Sequence, residues 1–140
     1  MAYFFYGTLM DPDVLAVVLG RRLDRGETVP ATLAGYRRVR TVREPYPMLL
    51  PTPGAIVEGV VLLEPSVEDE RRIAFFEEDE YTERWLPVRL ADGREIPVRV
   101  FFALRALGCS DRPWDLRCWA RKHKARYLEL CREWMREYPD

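Results

Sequence analysis

Two short stretches of this chain combine residue types that can do chemistry. Phe76-Glu77-Glu78-Asp79-Glu80-Tyr81 sets four adjacent acids between two aromatics. Four neighbouring carboxylates cannot all ionise comfortably beside an apolar wall. One that turns inward has its pKa raised by desolvation and by its like-charged neighbours. A carboxyl tuned toward neutral pH suits general acid–base work. Glu77 is the candidate because it follows Ile73-Ala74-Phe75-Phe76, the apolar end of a predicted helix. The plainer alternative is a solvated acidic loop. The second stretch is Phe5-Tyr6-Gly7-Thr8-Leu9, an apolar run interrupted by a glycine that lets the backbone turn sharply. Successive N–H groups at such a turn form a nest for an anion such as a carboxylate, and Thr8 adds a hydroxyl. The plainer alternative here is an ordinary strand-to-helix turn.

Other chemistries lack their residues. His123 is the one histidine, and the three cysteines, Cys109, Cys118 and Cys131, have no zinc-site spacing. There is no phosphate-cradling glycine loop and no Gly-x-Ser-x-Gly elbow. His123 falls on an apolar helical stripe and is expected to be a core or boundary residue. Catalysis would therefore rest mainly on carboxylates, hydroxyls and backbone amides.

The elements that must position these groups are legible in part. Ala2–Tyr6 is a short aromatic-rich run expected as a buried strand. Asp11-Pro12 predicts a helix start, with Asp11 as cap, Leu15, Val18 and Leu19 as apolar stripe, and Gly20 as stop. Val29–Val42 is expected to be extended. Glu44–Gly54 holds four prolines and is expected as an edge or loop rather than a central strand. Ala55–Glu64 predicts a strong strand. Pro65-Ser66 followed by Glu68-Asp69-Glu70 predicts the N-terminus of a helix that carries Val67, Ile73 and Phe76 toward the core. Trp85–Leu90 and Arg94–Leu104 flank Asp92-Gly93, a hairpin signal. Trp114–Tyr138 predicts one long helix, with Trp119, His123, Tyr127, Leu130, Cys131 and Trp134 on one face. The expected architecture is α+β: a small mixed, mostly antiparallel barrel-like sheet with helices around it and a long C-terminal helix.

Bulk properties narrow the class. The 140 residues suit a single domain spanning 1–140, and 48% hydrophobic content supports a real core. A formal net charge of −1 gives no global pull toward nucleic acid or membrane. No apolar run approaches the roughly 20 residues that span a bilayer, and the first ten residues do not form a targeting segment. With an odd, unpaired cysteine count, a cytoplasmic protein with reduced thiols is the expectation. Charge is uneven: eight bases face three acids from Arg112 to Arg136. Arg117, Arg121, Lys122, Lys124 and Arg126, with Trp119 nearby, are dense enough to consider a nucleic-acid surface. The preferred reading is a solvated polar face, or one that meets the acidic Glu64–Glu83 stretch within the chain or across a homodimer.

Taken together, the motifs resemble the γ-glutamylcyclotransferase-like family, to which the plant avirulence-induced-gene proteins and the γ-glutamylamine cyclotransferases belong. Tyr6-Gly7-Thr8-Leu9 is similar to its Tyr-Gly-Thr/Ser-Leu signature, and Tyr46-Pro47 to a Tyr-Pro segment ahead of its central strand. Val57-Glu58-Gly59-Val60-Val61 is similar to its Val-x-Gly-Glu-Val/Leu strand. Phe76-Glu77-Glu78-Asp79-Glu80-Tyr81 resembles its Phe-Glu-x-x-Glu-Tyr element, in which the first glutamate is the acid/base. The four blocks occur in the family's order over roughly Ala2–Val100. The resemblance implies a small β-barrel with flanking helices and conversion of a γ-glutamyl amine or amide to 5-oxoproline plus the freed amine, without metal or cofactor. It implies Glu77 as general acid/base and the N–H groups of Gly7, Thr8 and Leu9 as the cradle for the substrate α-carboxylate. Tyr6, Tyr46 and Tyr81 would help to line the pocket. The implied partner is a small γ-glutamyl compound, with neither nucleic acid nor membrane.

The chain departs from the family pattern in several places. Arg84 comes one residue later than the usual arginine, Glu78 replaces a small residue, and Ala74 stands where aspartate is common. Phe101 or Phe102 takes the place of a last-strand tyrosine, and the long C-terminal helix has little counterpart in short members. These departures keep a second reading open, a ligand-binding or interaction protein that uses the same fold without turnover.

Overall fold

A computed structural model of the chain describes residues 2–41, 47–77, 81–103 and 109–139. Six strands run in chain order: β1 (Tyr3–Phe5), β2 (Thr28–Thr41), β3 (Pro47–Leu62), β4 (Tyr81–Leu90), β5 (Glu95–Ala103) and β6 (Cys109–Pro113). The helices among the described residues are α1 (Pro12–Leu19), α2 (Val67–Glu77), α3 (Leu116–Lys122) and α4 (Lys124–Arg136), with a 3-10 turn at Thr8–Met10. The strands pair in the order β3-β1-β5-β4-β2, and β2 pairs back to β3, so five strands close into a barrel. Among the described residues only the β1–β5 pair is parallel; β6 adds to the far end of β2. Among the described residues no helix is long and apolar enough to cross a membrane.

The continuous apolar run of β1 has a direct cause: both of its faces are covered. Alternation sends Phe4 and Tyr6 into the barrel interior with Leu33, Val57, Val61, Val88, Val98 and Val100. Tyr3 and Phe5 point the other way, into a second core built with Leu15, Val18, Ile73 and Trp119 of the helices. Gly59 makes this arrangement possible. It lies on the inward-facing row of β3 between Val57 and Val61, and an added Cβ would collide with the Phe5 carbonyl oxygen and sit 2.6 Å from the Phe4 ring.

Several sequence expectations hold and others need correction. Asp11 caps α1 by accepting from the amides of Asp13 (3.0 Å) and Val14 (3.2 Å), and Gly20 ends the helix with φ of 69°. The Asp92-Gly93 hairpin joins β4 and β5. The proline-rich stretch is, as expected, an edge rather than a central strand: the prolines at 47, 51 and 53 lie in β3, where Pro47 pairs with Arg40 and Pro51 with Tyr36. They are tolerated because that part of β3 pairs with β2 alone, leaving one edge free of ladder bonds. Val67 is not a core residue; it stands 66% exposed at the start of α2. The predicted long C-terminal helix is two helices, broken at His123, which is exposed with φ of −127°. β6 precedes α3, and its sequence, Cys-Ser-Asp-Arg-Pro, carries no alternating pattern that would have announced a strand.

Replacing Gly59 with alanine is expected to destabilise the protein by about 1–3 kcal/mol, since one of the colliding atoms is backbone and cannot rotate away. Urea denaturation of wild type and Gly59→Ala checks this, and equal midpoints would show that the barrel absorbs the methyl group.

Candidate active site

The end of β1, the end of α2 and one face of α4 enclose a cavity of about 930 Å³. Each wall is held by local chemistry. On the first wall, Tyr6 ends the buried strand, and the 3-10 turn closes through bonds from Met10 N to Gly7 O and Asp11 N to Thr8 O (both 3.0 Å). None of the amides of Gly7, Thr8 and Leu9 has a protein acceptor among the described residues, as the opening amides of a helical turn lack an internal partner. The need for glycine at position 7 is spatial rather than torsional. Its φ is −126°, but an added Cβ would lie 3.0 Å from Cγ of Pro47.

The second wall is the end of α2. That helix starts with a reciprocal capping box: Asp69 N donates to Ser66 Oγ and Ser66 N to Asp69 Oδ2, both at 3.0 Å. Arg21 clamps the same carboxylate at 2.9 Å, and Ile73 is fully buried beneath the helix. Glu77 is the last residue of α2, half-buried on the cavity wall, with no ion pair or hydrogen bond among the described residues. Burial pushes its carboxyl up to about 8. The neighbouring acids Glu78, Asp79 and Glu80 lie outside the described residues, so their part in the shift is not assigned.

The third wall was not foreseen as part of a site. Lys124, the first residue of α4, binds Asp11 at 2.9 Å and Asp13 at 2.7 Å, which ties α4 to the start of α1. Tyr127, Leu130, Cys131, Glu133, Trp134 and Glu137 of this segment line the cavity. The Thr8 hydroxyl donates to the Tyr127 hydroxyl at 3.1 Å, joining the first wall to the third. Phe75 of α2 packs against Trp134 and Tyr138 at 5.6 and 5.4 Å between ring centres, joining the second to the third. Leu130 and Trp134 are 50% and 38% exposed rather than core, because the face they share borders the cavity. The spacing of these residues was visible, but nothing in it distinguished a cavity wall from a core stripe.

Of the residues singled out in the sequence, the structure brings Tyr6, Gly7, Thr8, Leu9, Glu77 and Tyr81 to one cavity. Tyr46 lies outside the described residues. The Tyr6 hydroxyl donates to the Phe101 carbonyl oxygen, and burial, with the charges of Tyr81 and Glu77 nearby, raises its pKa far above the usual phenol range. Phe101, one of the two candidates for the absent tyrosine's position, lines the cavity and meets Tyr81 edge-on at 6.5 Å. Arg84 lies away from it, over the Phe102 ring at 5.0 Å. The lining has three carboxylates, Glu77, Glu133 and Glu137, and no lysine, arginine or histidine among the described residues. No group of three histidines, cysteines or acids among the described residues is placed to hold a metal ion.

The Glu77 shift carries a stability consequence with a definite sign. Its folded pKa lies above the unfolded value, so the native state retains a proton that the unfolded chain releases. Stability from this group is therefore lost as pH rises from about 4.5 to about 8 and is flat above. Glu77→Gln is expected to be more stable than wild type at pH 8 and nearly equal at pH 4.5. Denaturation at both pH values checks this; a constant difference between the two proteins would place Glu77 in water.

Comparison with known proteins gives the family and the fold. A family model described as "Gamma-glutamyl cyclotransferase, AIG2-like" matches residues 3–121. AIG2-like protein A of Arabidopsis thaliana is 29% identical over 134 residues, covering 94% of this chain and 79% of that protein. A solution structure of an Arabidopsis thaliana protein superposes with a TM-score of 0.66 at 26% identity, covering 99% of this chain and 94% of that one. A protein solved as "Gamma-glutamyl cyclotransferase" superposes with a TM-score of 0.57 at 14% identity over 94% of this chain and 85% of that one, a likeness of fold. With the family match extending over most of its length, the chain belongs to the AIG2-like γ-glutamyl cyclotransferase family.

Proposed function

We propose that the protein is a cyclotransferase that releases 5-oxoproline from a γ-glutamyl amine or amide, with Glu77 as general acid/base. The observation that carries this reading is a desolvated, unpaired carboxyl that borders the same cavity as a turn of unengaged main-chain amides. No cation lines that cavity among the described residues, so a substrate α-carboxylate would be received by the N–H groups of Gly7, Thr8 and Leu9. Tyr6 and Tyr81 would flank the γ-glutamyl chain.

The reaction asks little more of the protein. Glu77, in its ionised form, takes a proton from the α-ammonium. The freed nitrogen attacks the γ-carbonyl carbon, forming the ring C–N bond. The carbon–nitrogen bond to the leaving amine then breaks as Glu77 returns its proton to that nitrogen, and the ring nitrogen gives its extra proton to solvent or to the released amine. Attack is intramolecular, so holding the cyclising conformer supplies much of the acceleration. A carboxyl that titrates near 8 can both accept and return a proton at neutral pH, which an ordinary glutamate near 4.5 does poorly.

Incubation with L-glutamine and a panel of γ-glutamyl amines is expected to yield 5-oxoproline, at a rate that rises with pH through about 8. Glu77→Gln should lower the rate by about 100-fold or more. Calorimetric binding of these compounds without product would instead support a non-catalytic ligand-binding protein, and undiminished turnover by Glu77→Gln would remove the proposed mechanism.

A further inference from the structure

Arg38 of β2 stands behind the turn and is not among the residues that line the cavity. It is half-buried, with its guanidinium 5.5 Å from the centre of the Trp114 ring. Its Nη1 donates to two main-chain oxygens, Tyr6 O at 3.0 Å and Glu58 O at 2.8 Å, and lies 3.9 Å from Met10 Sδ. One group thus touches the turn at its entry and its exit and ties both to β3. Among the described residues its Nε has no hydrogen-bond partner, and no carboxylate forms an ion pair with the side chain.

The Tyr6 carbonyl belongs to the same peptide unit as the Gly7 N–H. That unit is trans, and in a trans peptide the carbonyl and the N–H point in opposite directions. Fixing the Tyr6 oxygen toward Arg38 therefore fixes the Gly7 N–H toward the opposite side. Gly7 lines the cavity, and Arg38 does not. A cationic donor on the carbonyl also polarises the peptide and strengthens its N–H as a donor.

We propose that Arg38 is a positioning residue for the amide cradle: by holding the Tyr6 carbonyl from behind, it aims and polarises the Gly7 N–H that receives a carboxylate. The assignment rests on the cyclotransferase reading for its ligand, but its geometry is that of the free protein. The residue never meets substrate. Its effect falls on substrate capture, because the α-carboxylate bears the same charge in the ground state and during ring closure.

The test compares wild type, Arg38→Met and Arg38→Lys by steady-state kinetics on a γ-glutamyl amine, by pH profile and by the amide resonance of Gly7 in 15N-labelled protein. Arg38→Met is expected to raise KM about tenfold while kcat falls less than about threefold. The pH midpoint attributed to Glu77 should not move. In the free protein the Gly7 amide proton should shift upfield as polarisation is lost, and Arg38→Lys should lie between the other two in KM and in shift. A wild-type KM and Gly7 resonance in Arg38→Met overturn the proposal. So does a loss confined to kcat, or a displaced pH midpoint, which would put Arg38 in the environment of Glu77 instead. If Arg38→Met does not fold, Arg38→Lys decides, and wild-type values there are equally fatal. Should the wild-type protein form no 5-oxoproline, the proposed reaction fails. The Gly7 comparison, free and with L-glutamine added, then still judges Arg38 on its own.

Discussion

The strand β1 has no wet face, and the rest of the molecule is arranged around that constraint. Its alternating side chains are divided between two cores, Phe4 and Tyr6 inside the barrel, Tyr3 and Phe5 under the helices. A three-residue strand gripped on both sides cannot slide or tilt without opening one core or the other. Its exit point is fixed accordingly, and the turn that follows inherits that rigidity. Gly59 permits the close approach of β3, and the Tyr6 side chain and carbonyl are each tied down by a hydrogen bond. A loop that receives a ligand through its backbone must be placed by its surroundings, and here packing does so from both sides.

Charge is handled differently at the candidate site from elsewhere. Asp69 is buried, yet hydrogen bonds from Arg21 and Ser66 outweigh its desolvation and hold its carboxyl below the ordinary range. Asp11 is buried and meets Lys124 and two helix amides. Glu77 has no such compensation among the described residues, and desolvation raises its carboxyl. An uncompensated carboxyl costs stability, and such costs concentrate where a perturbed group is used.

The elements that could be read from the sequence were those whose signals are local. The Asp11-Pro12 cap, the Gly20 stop, the Asp92-Gly93 turn and the buried first strand each depend on a few adjacent residues. Glu77 and the Tyr6–Leu9 turn were legible for the same reason, because an apolar run abutting acids or a glycine is a local contrast. What escaped depends on partners distant in the chain. The break at His123 has no proline or glycine to mark it. Tyr127, Leu130 and Trp134 follow a core-like spacing, and their role as a cavity wall emerges only when Lys124 docks α4 on α1. Arg38 lies in a stretch whose residues announced only an extended chain.

The chamber is built in the helical layer, while the barrel interior is filled by its own side chains. Two of the three walls, the turn and α2, carry the parts with a proposed chemical duty, and α4 closes the remaining side. Exchanges at the half-open positions Leu130 and Trp134 would reshape the chamber at little expense to the barrel, since widely spaced sites contribute nearly independently. Proteins on this plan can diversify in what they admit while keeping one frame.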